Sequence, residues 1–426
     1  MNSTRRDQGE TRRVLGLDWP TDVTPAERRT LVAGGLGWML DAMDVALYSL
    51  VLSRVATTLG MNSAQSGALN SLTLVASALG GLFFGVLADR IGRTRALMAS
   101  ILVYSFASGA CGFATSVPML GTFRFLLGLG MGGEWATAAA LIAETWRPEH
   151  RGKALGLMQS SYALGEMIAV GVVALVLSQT NDWRIVFFVG VAPALFVLWV
   201  RRKVPEPELW RQRGPETRAG SGGGLRELWN DRTLRRRALI ATAMNAFSMF
   251  GYWGLFTWIP TFLSKPIADG GRGLDLAKTT TFLLVLGVGK FLGYALFGFL
   301  ADRFGRRRCY FLYLLVAALL VPLYAMTTER WQLLALGPFI AFFGTGFFSG
   351  FSPLAAELFP TRIRASAMGF TYNVGRGLAA AAPYLVGWIK DRASFAAGFL
   401  VLAGAYFVAS LLTLLLPDAQ TRRLDG

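Results

Sequence analysis

"GVLADRIGRTR" at residues 85–95 returns as "GFLADRFGRRR" at 298–308, an offset of 213. Each copy ends one long apolar run and begins the next, so each reads as a short basic turn between two helices. Two further matches keep the same spacing: Glu144 and Arg151 of "ETWRPEHR" (144–151) fall on Glu357 and Arg364 of "ELFPTRIR" (357–364), and Gly156 falls on Gly369. One offset shared by separated motifs reads as two homologous halves in parallel repeat.

The runs between these motifs are about 20 residues long, enough to cross a bilayer as helices. Twelve are read: 30–53, 66–88, 96–115, 118–143, 153–178, 184–200, 238–263, 279–301, 309–327, 331–356, 366–389 and 395–416. Only 16% of the 426 residues are charged and 53% are hydrophobic, against roughly 25% charged in a soluble chain. The expected fold is an all-α membrane protein with twelve transmembrane helices in two pseudo-symmetric six-helix bundles. The predicted segments are a tail at 1–29, a first bundle at 30–200, a linker at 201–237, a second bundle at 238–417 and a tail at 418–426.

Orientation follows from the basic residues. Of the 42 Lys and Arg, 31 fall on the side of the N-terminal tail, 8 on the other side and 3 within spans. The positive-inside rule then places both termini in the cytoplasm. The formal charge of +16 is a topology signal facing an anionic inner leaflet. It is not a nucleic-acid footprint, because the basic clusters are short and lie between apolar runs. "LRELWNDRTLRRR" (225–237), after the flexible "GSGGG" (220–224), is expected to lie as a helix on the membrane surface. Residues 1–29 lack an apolar core, so no cleavable signal peptide is expected. Cys111 and Cys309 suggest no disulfide framework.

Seven charges lie inside the spans: Asp41, Asp44, Arg124, Glu134, Glu166, Lys290 and Arg376. Each costs on the order of 2.5–3.5 kcal/mol at a helix centre on insertion scales, so each should face a cavity or a partner. Asp41 and Asp44, three apart, share one helix face. Ionised together they repel, so they should titrate as a coupled unit with one proton often retained. That is proton-coupling chemistry; the plainer reading is a structural pair satisfied by hydroxyls or an arginine. Asp41, nearer mid-span, is the favoured carrier, with Arg124 the expected partner of Asp44. Arg376 suits bidentate capture of a carboxylate; Lys290 is a second candidate, unless it neutralises a buried acid. Asn373, Tyr372 and Trp253 are expected beside them, and Arg124 is a further anion-binding candidate. Tyr48, Tyr162, Trp258 and Tyr384 are weaker candidates to line the pathway. Glu166 is either a proton relay or half of a structural pair. With all seven ionised the interior carries one net negative charge, which one proton neutralises. That balance is consistent with symport of a proton and an organic anion.

The repeated G-x-x-x-D-R-x-G-R-x-R motif resembles the signature loop of the major facilitator superfamily. "RFLLGLGMGGEWATAAALIAE" (124–144) with "HRGKALGLMQSSYALGE" (150–166) is similar to proton symporters of organic acids, notably the sialate and monocarboxylate symporters. The D-x-x-D of the first span resembles the D-G-x-D of aromatic-acid symporters, with Ala42 in place of the glycine. The resemblance implies alternating access, with Asp89, Arg90, Arg93, Glu144, Arg151, Asp302, Arg303, Arg306, Glu357 and Arg364 forming a cytoplasmic latch. Glu134 of "GGEW" is assigned to gating. Gly85 and Gly298, with Gly81-x-x-x-Gly85, Gly128-x-x-x-Gly132 and Gly346-x-x-x-Gly350, are expected at close helix crossings.

The expected function is uptake of a small organic acid anion (monocarboxylate, sialate, aromatic acid or small dicarboxylate) with a proton. The protein would act as a monomer in the inner or plasma membrane. A facilitator or exporter of neutral or cationic compounds is the alternative. A sensor or enzyme has no nucleotide loop, metal cluster or nucleophile constellation to support it, and no cofactor or nucleic-acid partner is expected. His150, the single histidine, is expected in an inner loop.

Overall fold

The computed structural model describes residues 23–180, 182–208, 222–360 and 363–417, and within them the side chains at 148, 149, 152, 222–225, 356 and 365, and those of Arg151 and Asp302, are not described. The expectations for those two residues, for both tails and for 209–221 therefore lie outside the described residues. The described chain is helical, without a strand.

The first group comprises α1 (Pro25–Leu59), α2 (Ser63–Ile91), α3 (Arg93–Cys111), α4 (Val117–Thr145), α5 (Pro148–Gln179), α6 (Arg184–Val189) and α7 (Pro193–Lys203). After the linker come α8 (Gly222–Asn230), α9 (Arg232–Ser264), α10 (Leu276–Phe304), α11 (Arg306–Met326), α12 (Arg330–Thr345), α13 (Phe347–Leu358), α14 (Arg364–Ala379), α15 (Ala381–Arg392) and α16 (Phe395–Leu414). Among the described residues, ten helices are long and apolar enough to cross a membrane, counting α6–α7 and α12–α13 as one each. The other two runs, 96–115 and 366–389, are also helical, as α3 and α14–α15. They are less apolar because they carry polar residues inward: Ser100, Ser105 and Ser108 on α3, Thr371, Asn373 and Arg376 on α14.

The helix starts are written locally. Thr24 and Glu27 form a capping box on α1, and Asn62 and Gln65 form one on α2. Each satisfies end N–H groups that the helix itself cannot. Asp231 accepts from Thr233 N–H and Leu234 N–H and so begins α9. The surface helix expected over 225–237 is therefore divided: 225–230 belong to α8, whereas 232–237 are the first turns of α9.

Both copies of the repeated motif turn in the same way. Gly92, between α2 and α3, has φ 111°, and Gly305, between α10 and α11, has φ 93°. Any other residue would be strained there. Close helix crossings occur at Gly128 and Gly132, where a Cβ would strike the carbonyls of Thr73 and Ser77, and at Gly346 and Gly350, where it would strike aromatic rings. Gly85 and Gly298 do not behave as expected: a Cβ on either would meet no heavy atom within 4 Å. They face outward, and the tight contact of the first pair is made by Gly81 alone.

Between the two groups, α2 packs on α14 and α15, α5 on α10, and α1 on α9. At one end of the bundle the approach is backbone-close: a Cβ on Gly67 would strike the Pro383 carbonyl, and one on Gly387 the Ser63 carbonyl. Ala64 N–H donates to Asp391 at 3.0 Å, and Tyr384 N–H to Ser71 at 3.2 Å, across the same end.

Candidate functional site

Three carboxyl groups are enclosed in the first group of helices. Asp41 is 1% exposed, Asp44 and Glu134 not at all. None of their six oxygens has a hydrogen-bond partner among the described residues. Gly37, Asp41 and Asp44 follow one face of α1, and the Glu134 carboxyl of α4 lies so close to Gly37 that a Cβ there would collide with it. The Tyr104 hydroxyl of α3, also without a partner, interacts electrostatically with all three acids. The Ser108 hydroxyl lies beside Asp44, where both abut Gly190, but short of hydrogen-bond geometry. Burying an ionised carboxylate without a hydrogen-bond donor is costly, and the cations that act on this cluster, Arg376 on Asp41 and Arg124 on Asp44, do so only through their fields. Glu134 thus sits in the acid cluster, away from the charge pairs at the helix ends.

The expected Arg124–Asp44 ion pair is not formed. The Arg124 guanidinium instead donates to Asn70 Oδ1 at 3.0 Å and lies 4.3 Å over the Tyr48 ring. Asn70 offered the nearer polar oxygen, from α2, and Arg124 acts on Asp44 only through its field. Asn70 in turn donates to the Thr257 hydroxyl of α9 at 2.6 Å, joining the two groups of helices.

Arg376 of α14 also reaches across. It donates from one terminal nitrogen to Ser77 Oγ of α2 at 2.6 Å, and from the other to the Tyr372 hydroxyl at 2.9 Å. Its Nε–H has no partner, although the residue is 2% exposed. Asp41 is an electrostatic neighbour. Tyr372 stacks flat on Trp135 of α4, with centroids 4.1 Å apart and planes 7° apart. Asn373 donates to the Gly369 carbonyl of its own helix at 2.9 Å, and its side-chain oxygen rests on Gly81 of α2.

Lys290 of α10 donates to both oxygens of Glu166 on α5, at 2.8 Å each. The Tyr252 hydroxyl of α9 donates to the same carboxylate at 3.3 Å. A cavity of about 60 Å³ borders the pair and is lined also by Ser49, Tyr252, Trp253 and Thr257. The structure thus makes the reading of Lys290 as the neutraliser of a buried acid geometrically concrete. Trp253 lines this cavity, whereas Tyr384 is exposed and Trp258 is tied to the Pro383 carbonyl at 2.9 Å.

At the helix ends the repeated motif forms repeated ion pairs. Arg93 binds Asp89 at 2.6 Å and Glu144 at 2.8 Å, and Arg306 binds Glu357. These pairs lie within one group of helices, not between the two. Arg90 and Arg303 are exposed, and Arg364 donates to the Phe359 carbonyl at 3.4 Å. Uncharged residues that charge counting missed complete the interface: Asn70, Ser77, Trp135, Thr257 and Tyr252. A serine or tyrosine in an apolar run carries no sequence signal of its own; only its neighbour across the interface gives it a role.

The family model of the Major Facilitator Superfamily matches residues 35–289 and 271–425. The chain belongs to that superfamily. This superfamily member is a transporter with many membrane-spanning helices, not an enzyme. It is 33% identical to a probable 4-methylmuconolactone transporter of Cupriavidus pinatubonensis over 94% of this chain and 93% of that one. It is 29% identical to the cis,cis-muconate transport protein of Acinetobacter baylyi, over 88% and 91% of the two chains. Among solved structures it is similar to a bacterial homologue of the human lysosomal transporter Spinster, in an inward-facing and occupied conformation. That similarity has a TM-score of 0.70 at 18% identity and covers 92% of this chain and 97% of that one.

Proposed function

We propose that the protein imports a small organic acid anion together with a proton, by alternating access between two six-helix bundles, residues 30–200 and 238–417. Twelve spans with both termini in the cytoplasm, in the inner or plasma membrane, accommodate the helices and the bias of Lys and Arg. In this orientation the tightly packed end, at Gly67 and Pro383, is the outer one, so the outer side is shut. The cytoplasmic charge pairs of Arg93 and Arg306 then brace each bundle as it rocks, beside an anionic inner leaflet. The transporter works as a monomer.

The observation that carries the anion reading is Arg376: a buried guanidinium bridging the two groups of helices, held only by neutral hydroxyls, with its Nε–H unpaired. A substrate carboxylate is the ligand such a group lacks. Lys290, Asn373, Tyr372, Trp253 and Arg124 complete the set that would surround it. The proton binds among Asp41, Asp44 and Glu166, with Asp41 as the carrier in transit. Relatives named for a muconolactone and for muconate support an organic acid. The buried acids alone would also suit an exporter of cations, but the three buried cations weigh against that. Purified protein in liposomes under an imposed pH gradient tests the reading. A carboxylic acid should move with protons, and if none does, the reading fails.

A further inference from the structure

We propose that the Glu166–Lys290 pair is an exchange site: the substrate carboxylate replaces Glu166 on Lys290, and Glu166 takes up the transported proton as it lets go. The inference rests on the organic-anion reading and adds where anion and proton meet.

The pair joins the two groups of helices at a tight crossing. Beside it, a Cβ on Gly287 of α10 would strike the Met167 side chain of α5. Lys290 is 3% exposed and has one anionic partner. The rest of its ammonium faces rings, 3.8 Å from the Phe256 centroid and 5.1 Å from that of Tyr252. When the bundles move apart, both charges would be left unpaired at low dielectric, which is strongly unfavourable. An anion on Lys290 together with a proton on Glu166 removes both penalties at once. Either one alone leaves a bare charge, so the site couples them one to one.

Tyr252 can serve Glu166 in either form. The Tyr252 hydroxyl that donates to the carboxylate can turn and accept from the carboxylic acid, since a phenol does either. The titratable groups facing Glu166 are Lys290 and Tyr294 of α10, Tyr252 of α9 and Tyr162 of its own helix. From α1, Asp41 acts on Tyr162, one turn before Glu166. The Tyr162 hydroxyl is buried and has no hydrogen-bond partner, and it interacts electrostatically with both Asp41 and Glu166. Among the described residues, α4, α6 and α13, which also touch α5, add no charged partner to Glu166. The cavity bordering the pair gives a carboxylate group its first foothold beside Lys290.

The test uses full-length protein in nanodiscs, with benzoate, cis,cis-muconate and N-acetylneuraminate as probes. Binding should take up one proton per ligand, read with a pH indicator, and affinity should fall tenfold per pH unit on the alkaline side. Glu166→Gln should bind without proton uptake, with an affinity independent of pH and at least about tenfold tighter than wild type at pH 8. A Gln variant that still takes up one proton per ligand overturns the exchange and leaves the proton with Asp41 or Asp44. If the Gln variant does not fold, infrared difference spectra of wild type decide. A carboxylic-acid band that appears on binding and shifts with ¹³C-glutamate supports the proposal; one that shifts with ¹³C-aspartate overturns it. Wild type that binds no probe at any pH refutes the organic-anion reading itself, a separate failure.

Discussion

Arg376 offers the most quantitative test of the anion site. In the structure it spends one N–H on Ser77 and one on Tyr372. A guanidinium has five, so Nε–H and one N–H on each terminal nitrogen remain for a ligand. A carboxylate docked on the Nε edge would accept two charge-assisted hydrogen bonds and displace neither hydroxyl. Such bonds contribute about 1.5–3 kcal/mol each. Removing both, as in Arg376→Ala, should weaken binding by about 3–6 kcal/mol, or roughly 10²–10⁴-fold at 1.4 kcal/mol per decade. Arg376→Lys keeps the charge but not the planar fork and should lose one bond, about 10–100-fold.

Folding should suffer less. Arg376 pairs with no acid, so its removal strands two hydroxyls, at about 1–3 kcal/mol each, and relieves the burial of a charge. Calorimetric titration of benzoate and muconate, beside a thermal unfolding curve, separates the two effects. An alanine variant with wild-type Tm and an affinity within threefold of wild type would remove Arg376 from the site. Benzamide serves as the control: wild type should discriminate against it, and the alanine variant should not.

Asp41→Asn should abolish accumulation driven by a pH gradient. One proton coupled to one monoanion sustains about tenfold accumulation per pH unit, since one unit is 1.36 kcal/mol. The variant should approach no accumulation while counterflow of preloaded substrate persists in part; equal loss of both would indicate misfolding instead. Gly92→Val and Gly305→Val should each destabilise by at least about 1–2 kcal/mol, because both positions need a positive φ. Gly85→Ala and Gly298→Ala, facing open space, should stay within about 0.5 kcal/mol. Thermal unfolding that ranks the two pairs the other way would refute the assignment of which glycine in the motif matters.

The repeat was legible because it is a matter of spacing, and spacing survives without side-chain geometry. Gly92 and Gly305 share a positive φ, and Arg93–Glu144 and Arg306–Glu357 pair alike, at the offset read from the sequence. What misled was direction around a helix. Gly85 looks the same as Gly81 in sequence, but four residues along an α2 inclined to its neighbour carries the backbone out of contact. Partners were still harder to read. Arg124 had an acid to suit it in Asp44, yet it took the amide of Asn70, because a charge count is blind to neutral acceptors. Glu166 and Lys290 were both visible as costly charges, but their pairing depends on α5 meeting α10, which no local pattern specifies.

The two kinds of contact between the bundles differ in what can replace them. At one end, Gly67 on Pro383 and Gly387 on Ser63 are backbone-close packing, and separating them forfeits dispersion that no small ligand restores. Farther along the helices the contacts are exchangeable: Ser77 with Arg376, Asn70 with Thr257, Glu166 with Lys290. Water can take either side of each bond, and a substrate carboxylate can take the acceptor's side, at little net cost. A ligand can shift a conformational equilibrium only by binding one state better than the other, and here it has such a handle only at these polar contacts. The Gly67–Pro383 seal would therefore open only after the polar contacts had been exchanged, and closure around the substrate would re-form the same packing whatever the substrate's size. On the proposed function, selectivity for the anion would then reside in Arg376 and Lys290, while the seal would set how far the resting protein lies toward one face of the membrane.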